Sequence, residues 1–136
     1  MRQSWPVSKQ PDLFLGLLPV EDINRTLNLE LEVGPVVFSR AAQRHAAARH
    51  PSEYPFLQPH VAAIVAAPLY LGDDFRNLGK IELIGTAHGL TGFALVAITI
   101  QRDKQGHYHV ASLYPVSRGK IESRKAKGFL RPVHKK

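Results

Sequence analysis

The run Phe93-Ala-Leu-Val-Ala-Ile-Thr-Ile100 constrains this chain more than any other stretch. It has strand length and almost no polar alternation, so it predicts a strand buried on both faces, with helices over one face of its sheet and other segments over the other. Its neighbours complete an antiparallel meander. Lys80-Ile-Glu-Leu-Ile precedes it through a Gly- and Thr-rich turn ending at Gly92, and the polar turn 102–106 leads into a strand over 107–114. Alternation along that last strand sets Tyr108, Val110, Ser112 and Tyr114 on one side and His107, His109, Ala111 and Leu113 on the other. Pro115 is expected to stop it.

Three helices are legible. Ser39 is a natural N-cap for the alanine-rich segment that runs to His50, where Pro51 disfavours the α conformation. His45 and Arg49, one turn apart, share a face. A second helix is expected from Leu57 to Ala67, broken by Pro68, with Val61, Ile64 and Val65 facing inward. A third begins at Arg118 behind the N-cap Ser117 and ends near Gly128. Leu27-Asn-Leu-Glu-Leu-Glu-Val33 alternates strictly and predicts a half-buried strand. Residues 1–11, with two prolines and a lone Trp5, suggest a loose lead-in. Asp73 and Asp74 belong to a solvated turn, with no third ligand nearby for a cation. At 136 residues and 44% hydrophobic content, the chain is expected to form one domain over 12–133, followed by a basic tail at 134–136.

Charge is distributed unevenly. Between Arg118 and Lys136 eight basic residues face a single acid, Glu122, so this segment accounts for the whole net charge of +7. A polyanion such as RNA or DNA would feel that field. There is no cysteine, which excludes disulfides and thiolate metal sites. No apolar run reaches the ~18 residues of a membrane span, and the start lacks the apolar stretch of a secretory signal. A soluble, cytoplasmic protein with no membrane partner is the expectation.

The helix carrying His45 and His50-Pro51, then Lys80-Ile-Glu-Leu, the buried strand, Val110-Ala-Ser-Leu-Tyr-Pro-Val-Ser-Arg118, Lys120-Ile-Glu-Ser-Arg124 and Gly128-Phe-Leu together resemble the phage-associated barnase-EndoU-colicin-RelE-like (BECR) nuclease domains. The resemblance runs from about Leu27 to Val133. It implies an α+β fold with N-terminal helices packed on a four-stranded antiparallel sheet, a basic C-terminal helix or tail, and a site on the exposed sheet face. It also implies a ribonuclease, a toxin or effector of a phage or mobile element. Its partners would be tRNA, mRNA or rRNA, with an inhibitory immunity or antitoxin protein.

The residues supply the chemistry of such an enzyme. Metal-independent RNA cleavage needs a base for the 2′-OH proton, an acid for the leaving 5′-oxygen and cations for the phosphorane-like transition state. His45 and His50 suit the proton transfers, Arg118 and Arg124 suit phosphate, and Ser112 with Tyr114 offer orienting hydroxyls. Lys80, Lys120, Arg124, Lys125 and Lys127 are the expected nucleic-acid contacts. No cofactor and no metal are called for, and His107 and His109 are expected to be solvent-facing. The alternative is a non-catalytic nucleic-acid- or protein-binding domain of the same fold.

Overall fold

The computed structural model describes residues 11–73, 79–88 and 92–134. The expected turn around Asp73 and Asp74 falls largely outside these residues, as do Trp5 and most of the lead-in, and the tail beyond His134. The elements are β1 (Leu13–Leu17), α1 (Val20–Leu27), β2 (Pro35–Phe38), α2 (Arg40–Arg49), α3 (Tyr54–Leu57), α4 (Val61–Ala66), β3 (Tyr70–Gly72), β4 (Lys80–Ala87), β5 (Gly92–Thr99), β6 (Tyr108–Val116), α5 (Arg118–Ala126) and β7 (Leu130–Pro132).

The apolar run is the centre of the sheet, as its composition requires. Ala94, Val96 and Ile98 of β5 face one apolar cluster, and Leu95 and Ala97 face another on the opposite side. The larger cluster is covered by α1, α2, α3 and α4, and the smaller by α5 through Ile121. α4 touches both β1 and β4, which lie four strands apart in the order β1-β2-β6-β5-β4-β3-β7. The sheet therefore coils around this short helix. Contact is close: a Cβ at Gly85 of β4 would stand 2.7 Å from Ile64 Cγ1 of α4.

The fold is α+β, but its sheet is seven-stranded and mixed, which overturns the expected four-stranded antiparallel sheet. β2 joins β6 in parallel, and β1, β3 and β7 pair antiparallel at the margins. These added strands are three to five residues long, too short to show a period, and their pairings are mostly long-range in sequence.

Leu27–Val33 is not a strand. Leu27 ends α1, and Asn28 takes the left-handed conformation (φ 57°) beyond it. The Asn24 side chain then occupies both backbone groups of Leu31, accepting from its N–H at 2.9 Å and donating to its carbonyl at 3.0 Å. Leu27, Leu29 and Leu31 still pack on the core, so the alternation reports burial without a ladder. The second helix is also divided: α3 and α4 are separated by a 3₁₀ turn at Gln58–His60, around Pro59.

Two features of β6 depart from simple alternation. Pro115 continues the strand in register with Ala94; a proline is tolerated there because beyond His109 no described strand pairs the other side of β6. Ala111 is an extra residue, since Ala97 pairs with Ser112 while Ile98 pairs with Val110. This bulge puts Tyr108, Val110 and Leu113 together in the larger cluster. Ser112 and Tyr114 take the α5 face instead of joining Tyr108.

The helix ends follow the sequence. Ser39 accepts from the Ala42 N–H at 3.1 Å and Ser117 from the Lys120 N–H at 3.2 Å. α5 is tied to the sheet by Arg124, whose guanidinium pairs with the buried Glu82 of β4. Removing one partner of a buried pair strands the other charge. Glu82→Ala is expected to destabilise the fold by about 3–5 kcal/mol in denaturant unfolding, whereas Glu82→Leu combined with Arg124→Met should recover most of that loss.

Candidate active site

β2 gives way to α2 at Phe38, so the C-terminal half of α2 runs beside the stretch of β6 that no described strand covers. Between them lies an open cleft of about 190 Å³ lined by His45, Ala46, Arg49, His50, Ser112, Leu113 and Tyr114. Ala46 and Leu113 form its apolar floor, both belonging to the larger core cluster. His45 and Arg49 stand one turn apart on α2, and His50 is its C-cap residue (φ −134°, ψ 63°).

His50 is held from two sides. Its ring stacks on Tyr114, with centroids 6.2 Å apart and planes 27° from parallel. Its Nδ1 lies 3.5 Å from Glu53 Oε1. The carboxylate favours the tautomer with Nδ1–H toward Glu53, which leaves Nε2 able to accept a proton. A cleft of this size is smaller than the ~300 Å³ at which drug- or cofactor-sized pockets begin. It suits a phosphodiester with part of its sugars.

Four of the residues nominated from sequence therefore converge here: His45, His50, Ser112 and Tyr114. Their location differs from the exposed sheet face implied by the resemblance; the cleft sits at the margin of β6, where α2 closes over it. Arg118 does not line it. Its guanidinium carbon lies 5.2 Å above the Phe93 ring at the start of α5. Arg124 is engaged with Glu82 and is only 11% exposed, so it is a structural cation rather than a substrate contact. Lys125 lies 5.3 Å from the Tyr70 ring centroid and 3.7 Å from Glu122. Lys80 is in register with Thr99, two strands from β6. Lys120 on α5 and Lys127 at its C-cap are exposed, outside the cleft.

Sequence reasoning left out Arg49 and Glu53. Arg49 was within reach of the spacing argument, being four residues beyond His45; Glu53 acts across Pro51, where no helical period carries the signal.

His107 and His109 are not merely solvated. His109 Nε2 lies 2.7 Å and His107 Nδ1 3.7 Å from Asp103 Oδ2. Hydrogen bonding by the His107 backbone N–H, then by the His109 ring, holds the Asp103 carboxyl down at about 2. This cluster fixes the β5–β6 turn. Burial pushes the hydroxyls of Tyr54 and Tyr108 above the usual phenolic range. Among the described residues no group of His, Asp or Glu is placed to hold a metal ion, and no helix is long and apolar enough to cross a membrane.

Comparison with known protein families, curated proteins and solved structures yields no match.

Inorganic phosphate is expected to enter the cleft and shift the ring resonances of both His45 and His50 in an NMR titration. Arg49→Gln should weaken that binding about tenfold, the loss of one charge-assisted contact. Arg118→Gln should leave it unchanged. Equal effects of the two substitutions would contradict this geometry.

Proposed function

We propose that this chain is a metal-independent endoribonuclease that cleaves RNA by general acid–base transesterification in the cleft between α2 and β6. The observation that carries the reading is the meeting of two histidines, an arginine and two hydroxyls in one small open cleft. The likeness of the His45–His50 helix and the 110–124 segment to the BECR nucleases supports the same chemistry, and with it a phage or mobile-element toxin acting on cytoplasmic tRNA, mRNA or rRNA and restrained by an immunity protein.

The roles follow from the surroundings. His50, with Nδ1 turned to Glu53, accepts the 2′-OH proton at Nε2 as that oxygen attacks phosphorus. The P–O5′ bond breaks, and His45, exposed on the cleft rim, donates a proton to the departing 5′-oxygen. The products are a 2′,3′-cyclic phosphate and a 5′-hydroxyl. Arg49 offsets the charge that gathers on the non-bridging oxygens, and the Ser112 and Tyr114 hydroxyls orient the phosphodiester.

A non-catalytic nucleic-acid- or protein-binding domain is the second reading, and the position of Arg118, Lys120 and Lys127 favours it. These exposed cations lie on α5 and at its C-cap, away from the cleft.

Cleavage of a mixed tRNA and mRNA pool in EDTA separates the two. The wild-type protein is expected to cut and leave cyclic phosphate ends, with His45→Ala, His50→Ala and Arg49→Ala each losing ~100-fold or more while keeping the native fold. Salt-dependent RNA binding without cleavage by any of the four proteins would transfer the assignment to the binding domain.

A further inference from the structure

A second groove, about 620 Å³ and lined by Arg25, Thr26, Arg131, Pro132, Val133 and His134, lies between α1 and β7. Its walls are stitched together through few atoms. Arg25 Nη1 donates to Asp22 Oδ1 at 3.0 Å and to the His134 carbonyl at 2.8 Å. Arg131 Nη1 donates to the Thr26 carbonyl at 3.4 Å, and the His134 N–H to Thr26 Oγ1 at 2.7 Å. Among the described residues these contacts engage Nη1 of each guanidinium, one nitrogen of a five-donor fork. Both arginines are exposed. Among the described residues Asp22, paired with Arg25, is the one acid in contact with them.

We infer that this groove is a second phosphate site, which grips the backbone of the substrate RNA at a distance from the cleft. The inference rests on the ribonuclease reading for the identity of its ligand. Paired guanidiniums match the oxygens of a phosphodiester in a way that single ammonium groups do not. The two sites also share a layer of the fold. Arg131 is in register with Leu71, whose side chain lies in the larger cluster, so it projects toward the side occupied by α1 and α2. β6 and β7 are four strands apart in the sheet, a path of roughly 19 Å across the strands at ~4.8 Å each. About six stacked nucleotides, at ~3.4 Å each, cover that span. A trinucleotide stacked at that spacing, about 10 Å long, covers only half of that path.

The test uses uncleavable 2′-O-methyl RNA, as a trinucleotide and as a 12-mer, with the full chain, the Arg131→Gln variant and Lys104→Gln as a charge-matched control on the exposed β5–β6 turn. Arg131→Gln is expected to weaken 12-mer binding about tenfold and to reduce the slope of log K against log salt by ~0.7, the contribution of one single-strand phosphate contact. Trinucleotide binding should be unchanged, and Lys104→Gln should resemble wild type with both. Equal 12-mer affinity and slope for wild type and Arg131→Gln would overturn the inference. So would poly-glutamate binding that only Arg131→Gln abolishes while RNA binding persists, since the groove would then belong to an acidic protein. If the wild-type protein cuts no RNA yet Arg131→Gln weakens the 12-mer as described, the groove stands and the ribonuclease reading falls.

Discussion

Gln43 fixes the geometry on which the cleft depends. Its side chain is buried in α2, 1% exposed, and its amide nitrogen donates to the carbonyls of Pro11 and Phe38 at 2.9 Å each. With the Ser39 cap and the Asp12 carboxylate accepting from the Arg40 N–H at 2.7 Å, it pins the start of α2 to the ends of β1 and β2. A buried polar side chain left without partners is costly, so an amide with both N–H donors engaged sets one orientation for the helix. Ten residues from Arg40 to Arg49 then carry His45, Arg49 and His50 along the margin of β6.

That margin exists because β2 is short. It pairs with β6 only at Tyr108 and His109, and the chain turns into α2 before the rest of β6 is covered. The bulge at Ala111 changes which residues share a face, setting Leu113 with Tyr108 and Val110 in the larger cluster and turning Ser112 and Tyr114 to the other face. Bulges recur beside active sites for this reason: they re-aim side chains without ending the sheet. The other face has a different use for its cations. Arg118 over Phe93, Arg124 against Glu82 and Lys125 over Tyr70 fasten α5 to the smaller cluster, so part of the basic segment holds the fold together and the remainder gives the surface its positive field.

The parts legible in the sequence are those fixed by local physics. Continuous apolarity gave β5 its central place, and the Ser39 and Ser117 hydroxyls marked the starts of α2 and α5. What stayed hidden depends on partners far away in the chain. β1 and β7 have no readable period at their length, and the parallel pairing of β2 with β6 joins segments about seventy residues apart. Leu27–Val33 misled because the Asn24 amide imitates a neighbouring strand. At the site, His45, His50, Ser112 and Tyr114 were nominated by residue type and do converge, whereas Arg118 lies over Phe93 outside this cleft because the direction of α5 is set by Ile121 and Arg124 packing on the sheet. Glu53 was invisible because its relation to His50 crosses a helix end.

The central claim is that this cleft uses the 2′-hydroxyl of RNA as its nucleophile. The most direct measurement compares cleavage of one oligonucleotide with its counterpart carrying a single 2′-deoxy residue at the site of cutting. Complete protection at that bond, with cutting retained at unmodified positions, is the result the account predicts. Cleavage of the deoxy-substituted bond at the unmodified rate would contradict it, because a water or another nucleophile would then have to attack phosphorus.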